Sequence, residues 1–325
     1  MRAVVYTTYG GPEVLRLAEV PVPTVAEDGV VVRVRAASLH KGDWHLMTGT
    51  PYLVRAMGFG LLRPKYTTAG MAIAGTIEAV GGRVAGFAVG DDVLCELGAG
   101  GGFADLVAVP AVLLAKKPAS LSWEDAAALP VSATTALQGL RDAGQLKPGQ
   151  SVLVVGASGG VGTFAVQIAR AMGAEVTGVC SGRNAELVRS LGASAVIDYT
   201  AEDFTASKQR FDIIFDTICD QPLAACRRVL TPNGRYVSCG GGERNRWTGP
   251  MIPMLWGMLG NLFTRQPFVP LMATPNPADL AAVAELVASG AVRPVIDRRF
   301  PLGEAADAMR YLGSGRVRGK CLLTL

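Results

Sequence analysis

Histidine is nearly missing from this chain, which has two in 325 residues, and charge is thin at 18%. The six cysteines, at positions 95, 180, 219, 226, 239 and 321, include no C-x-x-C pair and no even framework. A structural zinc therefore has no ligands to draw on, and the pattern suits free thiols in a reducing compartment. Neither sign of charge accumulates: 31 Lys and Arg stand against 27 Asp and Glu, a net +4 that is not gathered into runs, which argues against nucleic acid as a partner. Long apolar runs are lacking too. The most apolar late stretch, Pro250 to Phe263, is broken by Pro253, Gly257 and Gly260 and falls short of the roughly 20 residues that cross a bilayer. The opening MRAVVYTTYG has neither the charged start nor the long apolar middle of a signal peptide. These absences together predict a soluble cytoplasmic protein.

What is present is apolar: half of the residues, in a length that fits two domains and can bury a sizeable core. The most informative stretch is Ser151 to Ser181, SVLVVGASGGVGTFAVQIARAMGAEVTGVCS. Val152 to Gly156 has strand length, Ala157 to Gly162 is a glycine turn, and the following period is that of a buried helix. A second apolar strand starts at Glu175, 13 residues after Gly162, so the unit is one right-handed βαβ crossover. The turn spells A-x-G-x-x-G. Ala157 stands where a dinucleotide fingerprint usually opens with glycine, Gly159 where backbone approaches a pyrophosphate, and Gly162 where helix and strand pack closely. A phosphate would rest on the amides of Ser158, Gly159, Gly160, Val161 and Gly162. Among 40 glycines the pattern gains its weight from the strands on either side.

Along the chain, residues 1 to 118 alternate short β-like runs with Gly and Pro, predicting an irregular β-rich barrel. The intervening HKGDWHLMTGTPYLVRAMGFGLLRPKY has no clean period and reads as a cleft-lining loop. From Ser122 the texture becomes alanine-rich and helical, with Ser122 as N-cap and Pro130 as a divider. Strands and helices then alternate through SVLVV, EVTGVC, SAVID, FDIIFDTI, RYVSCG and FVPLMA, a doubly wound parallel sheet of about six strands. The β-rich tail ending in GKCLLTL predicts a return to the first domain. The expected domains are residues 1–121, 122–273 and 274–325, the last completing the first.

The strings GPEVLRL, GDDVLCEL, KKPASLSWEDAAALP, TTALQGL, LKPGQSVLVVGASGGVG, LGASAVIDY and GKCLLTL resemble the medium-chain dehydrogenase/reductase superfamily over nearly the whole chain, and within it the zinc-independent quinone oxidoreductase-like branch. The resemblance implies an α/β fold: a GroES-like β-barrel catalytic domain plus a Rossmann domain with a doubly wound parallel sheet, and an active site in the cleft. Zinc-dependent relatives carry metal ligands where this chain has His40, Met71 and Ala72, and Val131. Thioether and hydrocarbon cannot complete a three-ligand zinc site, so no metal is expected. Without a Lewis acid to ionise an alcohol, alcohol oxidation is not expected, and the resemblance to the zinc-free branch implies hydride transfer to a quinone or an α,β-unsaturated carbonyl. A saturated aldehyde or ketone acceptor, or a non-catalytic NADPH-binding sensor, are the alternatives.

The second strand ends in Cys180, Ser181, Gly182 and Arg183, with no carboxylate for ribose hydroxyls and a cation in its place, which favours the 2′-phosphate of NADPH. The resemblance adds Tyr199 to that phosphate, Lys41 to the pyrophosphate, and Thr135 with Ser238, Cys239 and Gly240 to the nicotinamide; Arg318 or Lys320, cations near the end of the chain, are further candidates for the 2′-phosphate. It also places Tyr52, after a one-residue offset, where related reductases have an active-site tyrosine. The proton donor is left among Tyr52, His40, His45 and water, and His40 has a second reading as a hydrogen-bonding partner of ribose or substrate. The apolar segments 52–62 and 247–263 read as cleft wall, lid or interface. FVPLMA reads as an outermost apolar strand, which is either covered or paired; the resemblance, whose members pair it across a two-fold axis, implies a homodimer.

Overall fold

The computed structural model describes residues 1–240 and 245–325. The chain divides into two compact units. One takes Met1–Thr134, Pro275–Gly290 and Pro294–Leu325, the other Thr135–Thr274 and Ala291–Arg293.

In the first unit, β1 (Arg2–Val5) pairs antiparallel with β2 (Arg16–Glu19). The organising strand is β3 (Gly29–Leu39), whose valine-rich sequence is buried almost throughout. Register shifts near Val31 and Val34 bend it, as bulges do. Along one side it pairs with β4 (Ala72–Val80), which leads to β5 (Asp92–Glu96). Its other side pairs with β6 (Leu106–Pro110) through Gly29–Arg33, and β7 (Leu114–Lys116) closes on β5. Val30, Val32, Ile73, Ile77, Val93 and Phe103 fill the interior. Residues 41 to 48, part of a stretch whose lack of a clean period predicts a loop, instead form helix α1 (Lys41–Thr48). Its start is tied by the His40 backbone N–H donating to Asp43 Oδ2 at 2.9 Å, a cap that no apolar period announces. Ser122 caps α2 (Trp123–Ala128) by accepting the Asp125 N–H. This helix packs on β3 and β4, so the first compact unit extends past the change of texture at residue 122. After Pro130, α3 (Ser132–Gln138) begins.

The second unit is a six-stranded parallel sheet. In chain order its strands are β8 (Ser151–Val155), β9 (Glu175–Cys180), β10 (Ala195–Asp198), β11 (Phe211–Asp216), β12 (Leu230–Ser238) and β13 (Phe268–Pro270). Their spatial order is β10-β9-β8-β11-β12-β13, so the order reverses beside β8, where such sheets bind ligands. Helices α4 (Gly160–Ala171), α5 (Ala185–Ser190) and α6 (Leu223–Arg228) make crossovers, and α7 (Met251–Gly260) precedes β13. Leu153, Phe211, Ile214, Cys226 and Tyr236 lie in one buried cluster. Only three residues of the FVPLMA stretch pair as strand.

The tail returns to the first unit through α8 (Pro277–Ala288), β14 (Ile296–Pro301), α9 (Ala305–Gly313) and β15 (Lys320–Thr324). β15 lies antiparallel to the second half of β3 and parallel to β14. An α/β fold with a GroES-like first domain and a Rossmann-like parallel sheet is thus in place.

Candidate functional site

In the second unit the turn after β8 is built by glycine geometry. Gly156 lies at φ 80°, and a Cβ there would fall 2.3 Å from Thr217 Oγ1. The amides of Gly156 and Ala157 both donate to Val179 O, which anchors the turn to β9. A Cβ on Gly162 would lie 2.1 Å from Gly156 O, so only glycine lets α4 settle onto the turn, whereas at Gly159 the nearest atom would be 3.3 Å away. No side chain caps α4 and no acid stands in its first turn. A helix start left this way accommodates an anion. The turn therefore fits a dinucleotide pyrophosphate at Ser158, Gly159, Gly160 and Val161, with Ala157 buried beneath.

Next to it, Cys180 ends β9 in the interior and Ser181 follows half-buried, while Arg183 is exposed. The Tyr199 amide donates to Cys180 O at 3.2 Å, and its ring is 62% exposed. Ser181, Arg183 and Tyr199 thus share one rim. Two further residues here were missed from the sequence. Asn184 is buried and donates to both Ser158 Oγ (3.0 Å) and Ser181 Oγ (3.2 Å), clasping the glycine turn to the end of β9; its Oδ1 is buried without a partner. Asp198 accepts from the Thr200 hydroxyl and amide and from the Gly182 amide, bonds that hold its carboxyl below the usual range. A carboxylate thus stands close to Gly182, on the neighbouring strand instead of at the end of β9. Its signal was the final D of SAVID.

At the far end of β12, the Cys239 amide donates to Asp216 O at 2.8 Å, and Ser238 Oγ lies 3.3 Å from Cys219 Sγ. A Cβ on Gly240 would press to 2.4 Å from Thr217 O. The buried Asp216 carboxylate orders this end, accepting from the Ile218 and Cys219 amides and from the Tyr236 hydroxyl. Burial pushes its pKa up. Thr135 is buried in α3.

The first unit holds a buried polar cluster drawn from distant parts of the chain. Lys320, at the start of β15, is fully buried; its ammonium donates to Leu39 O at 3.1 Å and Ser132 Oγ at 3.0 Å. Its placement replaces the expectation that it would approach the 2′-phosphate. Burial lowers its pKa to about 8 despite the acids Asp43 and Glu96. Glu96 Oε2 accepts the Val131 amide (3.0 Å) and the Thr134 hydroxyl (3.2 Å). Val131, a β-branched residue, is held there at φ 65°, a costly conformation for its side chain. Burial raises the Asp43 pKa to about 7. His40, its Nδ1 3.4 Å from Asp43 Oδ2, is kept neutral by burial first and by Lys320 second; both ring nitrogens are buried without a hydrogen bond.

Met71 sulfur lies where a Cβ on Gly42 would come within 2.8 Å, and Ala72 is fully buried. Thioether, methyl and Val131 supply no further ligand beside His40, and an ammonium occupies the cluster. The residues present do not fit a catalytic zinc. Among the described residues no group of three His, Cys, Asp or Glu is placed to hold a metal.

The other candidates lie on or after α1, or near β15. His45 Nδ1 is 2.8 Å from Thr50 O, and the Tyr52 ring lies under the Arg55 guanidinium at 4.7 Å. Lys41 is exposed, its ammonium 5.9 Å from the Trp44 ring centre. The exposed Arg318 donates its backbone N–H to Asp297.

Residues 26–119 match the alcohol dehydrogenase GroES-like domain, and residues 191–323 match a family described as zinc-binding dehydrogenase. The second match excludes positions 40, 71, 72 and 131. A chloroplast envelope quinone oxidoreductase homolog of Arabidopsis thaliana is 32% identical over 99% of this chain and 98% of its own. An NADPH-dependent alkenal/one oxidoreductase of the same plant is 31% identical over 99% of this chain and 79% of its own. The structure of the quinone oxidoreductase from Coxiella burnetii superposes with a TM-score of 0.88 at 28% identity, covering 100% and 99% of the two chains.

Proposed function

Because the chain belongs to the medium-chain dehydrogenase/reductase superfamily, in its quinone oxidoreductase-like branch, we propose that it is an NADPH-dependent oxidoreductase that transfers a hydride to a quinone or an α,β-unsaturated carbonyl without zinc. The observation that carries this reading is the combination of a glycine turn whose helix start can take an anion with Met71, Ala72 and Val131 at the positions where zinc-dependent relatives carry metal ligands.

NADPH, when bound, supplies the hydride from its nicotinamide. The chain's share is binding, orientation and a proton. Amides 158–162 take the pyrophosphate, with Lys41 as an added cation; Ser181, Arg183, Tyr199 and Arg318 take the 2′-phosphate. Thr135 and the backbone of Ser238, Cys239 and Gly240 hold the nicotinamide. Reduction of an activated double bond leaves an anion that needs one proton, and Tyr52, His40, His45 or water delivers it. We also place the protein in the cytoplasm as a homodimer.

NADPH oxidation measured against quinones, enones and saturated aldehydes tests the reading. Turnover with the first two classes is expected. Turnover confined to aldehydes would move the acceptor to saturated carbonyls, and binding without turnover would make the chain a sensor. Stoichiometric zinc whose chelation abolishes activity would overturn the metal-free part.

A further inference from the structure

Two serines on different elements of the second unit share one buried donor. Ser158 belongs to the glycine turn before α4, and Ser181 follows the end of β9. Between them stands Asn184, only 5% exposed, whose Nδ2 donates to the Ser158 hydroxyl at 3.0 Å and to the Ser181 hydroxyl at 3.2 Å. Its backbone N–H donates to Ser181 O at 2.8 Å, so the residue is held at its main chain as well as at its tip.

A side-chain amide nitrogen carries two hydrogens and accepts nothing. Both are spent here, one on each serine. Each hydroxyl oxygen is therefore the acceptor in its bond to Asn184, and its own hydrogen is left to donate elsewhere. Among the described residues neither hydroxyl has a second partner. Turning the amide over would bury two unsatisfied donors in place of the one unpartnered acceptor, Oδ1, and would draw both serine hydrogens inward. The polarity that results suits phosphate, whose oxygens accept. Ser158 lies among the amides proposed to seat the pyrophosphate, which NADPH and NADH share; Ser181 lies on the rim proposed to seat the 2′-phosphate, which NADPH alone carries.

We propose that Asn184 is a positioning residue for cofactor choice: by donating to both serines it leaves the Ser158 and Ser181 hydroxyls as ready donors to phosphate, and the second of these favours NADPH over NADH. The role rests on the reading of this turn and rim as the seat of NADPH, and adds to it a residue that acts through two other side chains. Calorimetric titration with NADPH and NADH, and with 2′,5′-ADP and 5′-AMP, which differ only in the 2′-phosphate, tests it without turnover. Ser181→Ala should lower the preference for the 2′-phosphorylated member of each pair about tenfold, the effect of losing a hydrogen bond to a charged group. Asn184→Leu, similar in shape but without a donor, should lower it about three- to tenfold, and no further in the Ser181→Ala background, as a double-mutant cycle reads. Ser158→Ala should weaken NADPH and NADH alike. Circular dichroism establishes folding, and Asn184→Ser, too short to bridge both hydroxyls, carries the same cycle should the leucine variant not fold. Losses that fall equally on NADPH and NADH in the Asn184 variant, or that persist undiminished in the Ser181→Ala background, overturn the proposal while the NADPH reading stands, as does a preference unchanged by Ser181→Ala. A wild type without preference for the 2′-phosphorylated members overturns both.

Discussion

Arg183 and Asp198 set opposite charges on the ground where a 2′-phosphate is proposed to rest. If Arg183 engages the phosphate, Arg183→Ala should weaken NADPH binding by roughly 1.5 to 3 kcal/mol, the range for a hydrogen bond to a charged group, and leave NADH nearly unchanged. Fluorescence titration of both cofactors reads this as a preference lowered by about one to two powers of ten. Asp198→Asn removes the carboxylate beside Gly182 and should shift preference toward NADPH, most clearly at low salt. In the first unit, Asp43 carries a pH signature. Its pKa is raised to about 7 by burial, so the folded state binds more protons than the unfolded one between about pH 4 and 7. Its contribution is most favourable below that window and is lost as pH rises through it, with a ceiling of about 4 kcal/mol at about 1.4 kcal/mol per unit. Lys320, lowered to about 8, gives the opposite slope, its burden relieved between about pH 8 and 10.5. Melting temperature against pH should fall across the lower window in the wild type and flatten there in Asp43→Asn. Ser181 and Arg183 could be singled out from the sequence because they directly follow the end of β9, as Tyr199 follows β10. The buried cluster was not, since His40, Asp43, Glu96, Ser132 and Lys320 are far apart in sequence and nothing in GKCLLTL distinguishes a buried lysine from a surface one.

The strand, turn and helix from β8 to α4 form the element whose local chemistry matched its sequence most closely. Each glycine in the turn has a separate steric cause, so substitutions should separate too. Gly162→Ala would gain up to about 1 kcal/mol in helix propensity, but its methyl would enter at 2.1 Å from the Gly156 carbonyl oxygen. Overpacking against backbone costs about 1 to 3 kcal/mol. The expected outcome is a lower melting temperature together with weaker NADPH binding, because moving α4 off the turn moves the amides that face the phosphate. Helix α1 shows the opposite case. H-x-x-D-x-H has polar residues on a helix that buries only Asp43 and Met47, so periodicity gave no helical signal. The cap that starts it uses a buried carboxylate and a backbone amide instead of an N-cap Ser or Thr.

Over the whole molecule, β-rich material at both chain ends is what suggests a return of the tail, and β15 lies antiparallel to β3 in the first unit. Assembly is the level at which a single chain says least, yet the sheet edge narrows the choices. At β13 the outward Phe268 N–H and C=O are both taken by the Asn261 side chain, at 2.8 and 2.9 Å. Pro270 has no N–H to offer. A partner strand therefore cannot add at β13 itself, and the proposed two-fold pairing must use the extended residues beyond it. There the Leu271 amide is spent on Ser238 O and the Thr274 amide on Gln138, which leaves Met272, 69% exposed, at the centre of any new ladder. Light scattering should give twice the chain mass of 33.8 kDa. Met272→Pro deletes one ladder donor in each copy, about 1 kcal/mol apiece, and should raise the dimer dissociation constant about ten- to thirtyfold. Asn261→Ala, which frees the Phe268 groups without touching residue 272, should not weaken the dimer. A wild type that is monomeric at every concentration would remove the assembly, and a dimer indifferent to Met272→Pro would move its interface away from this edge.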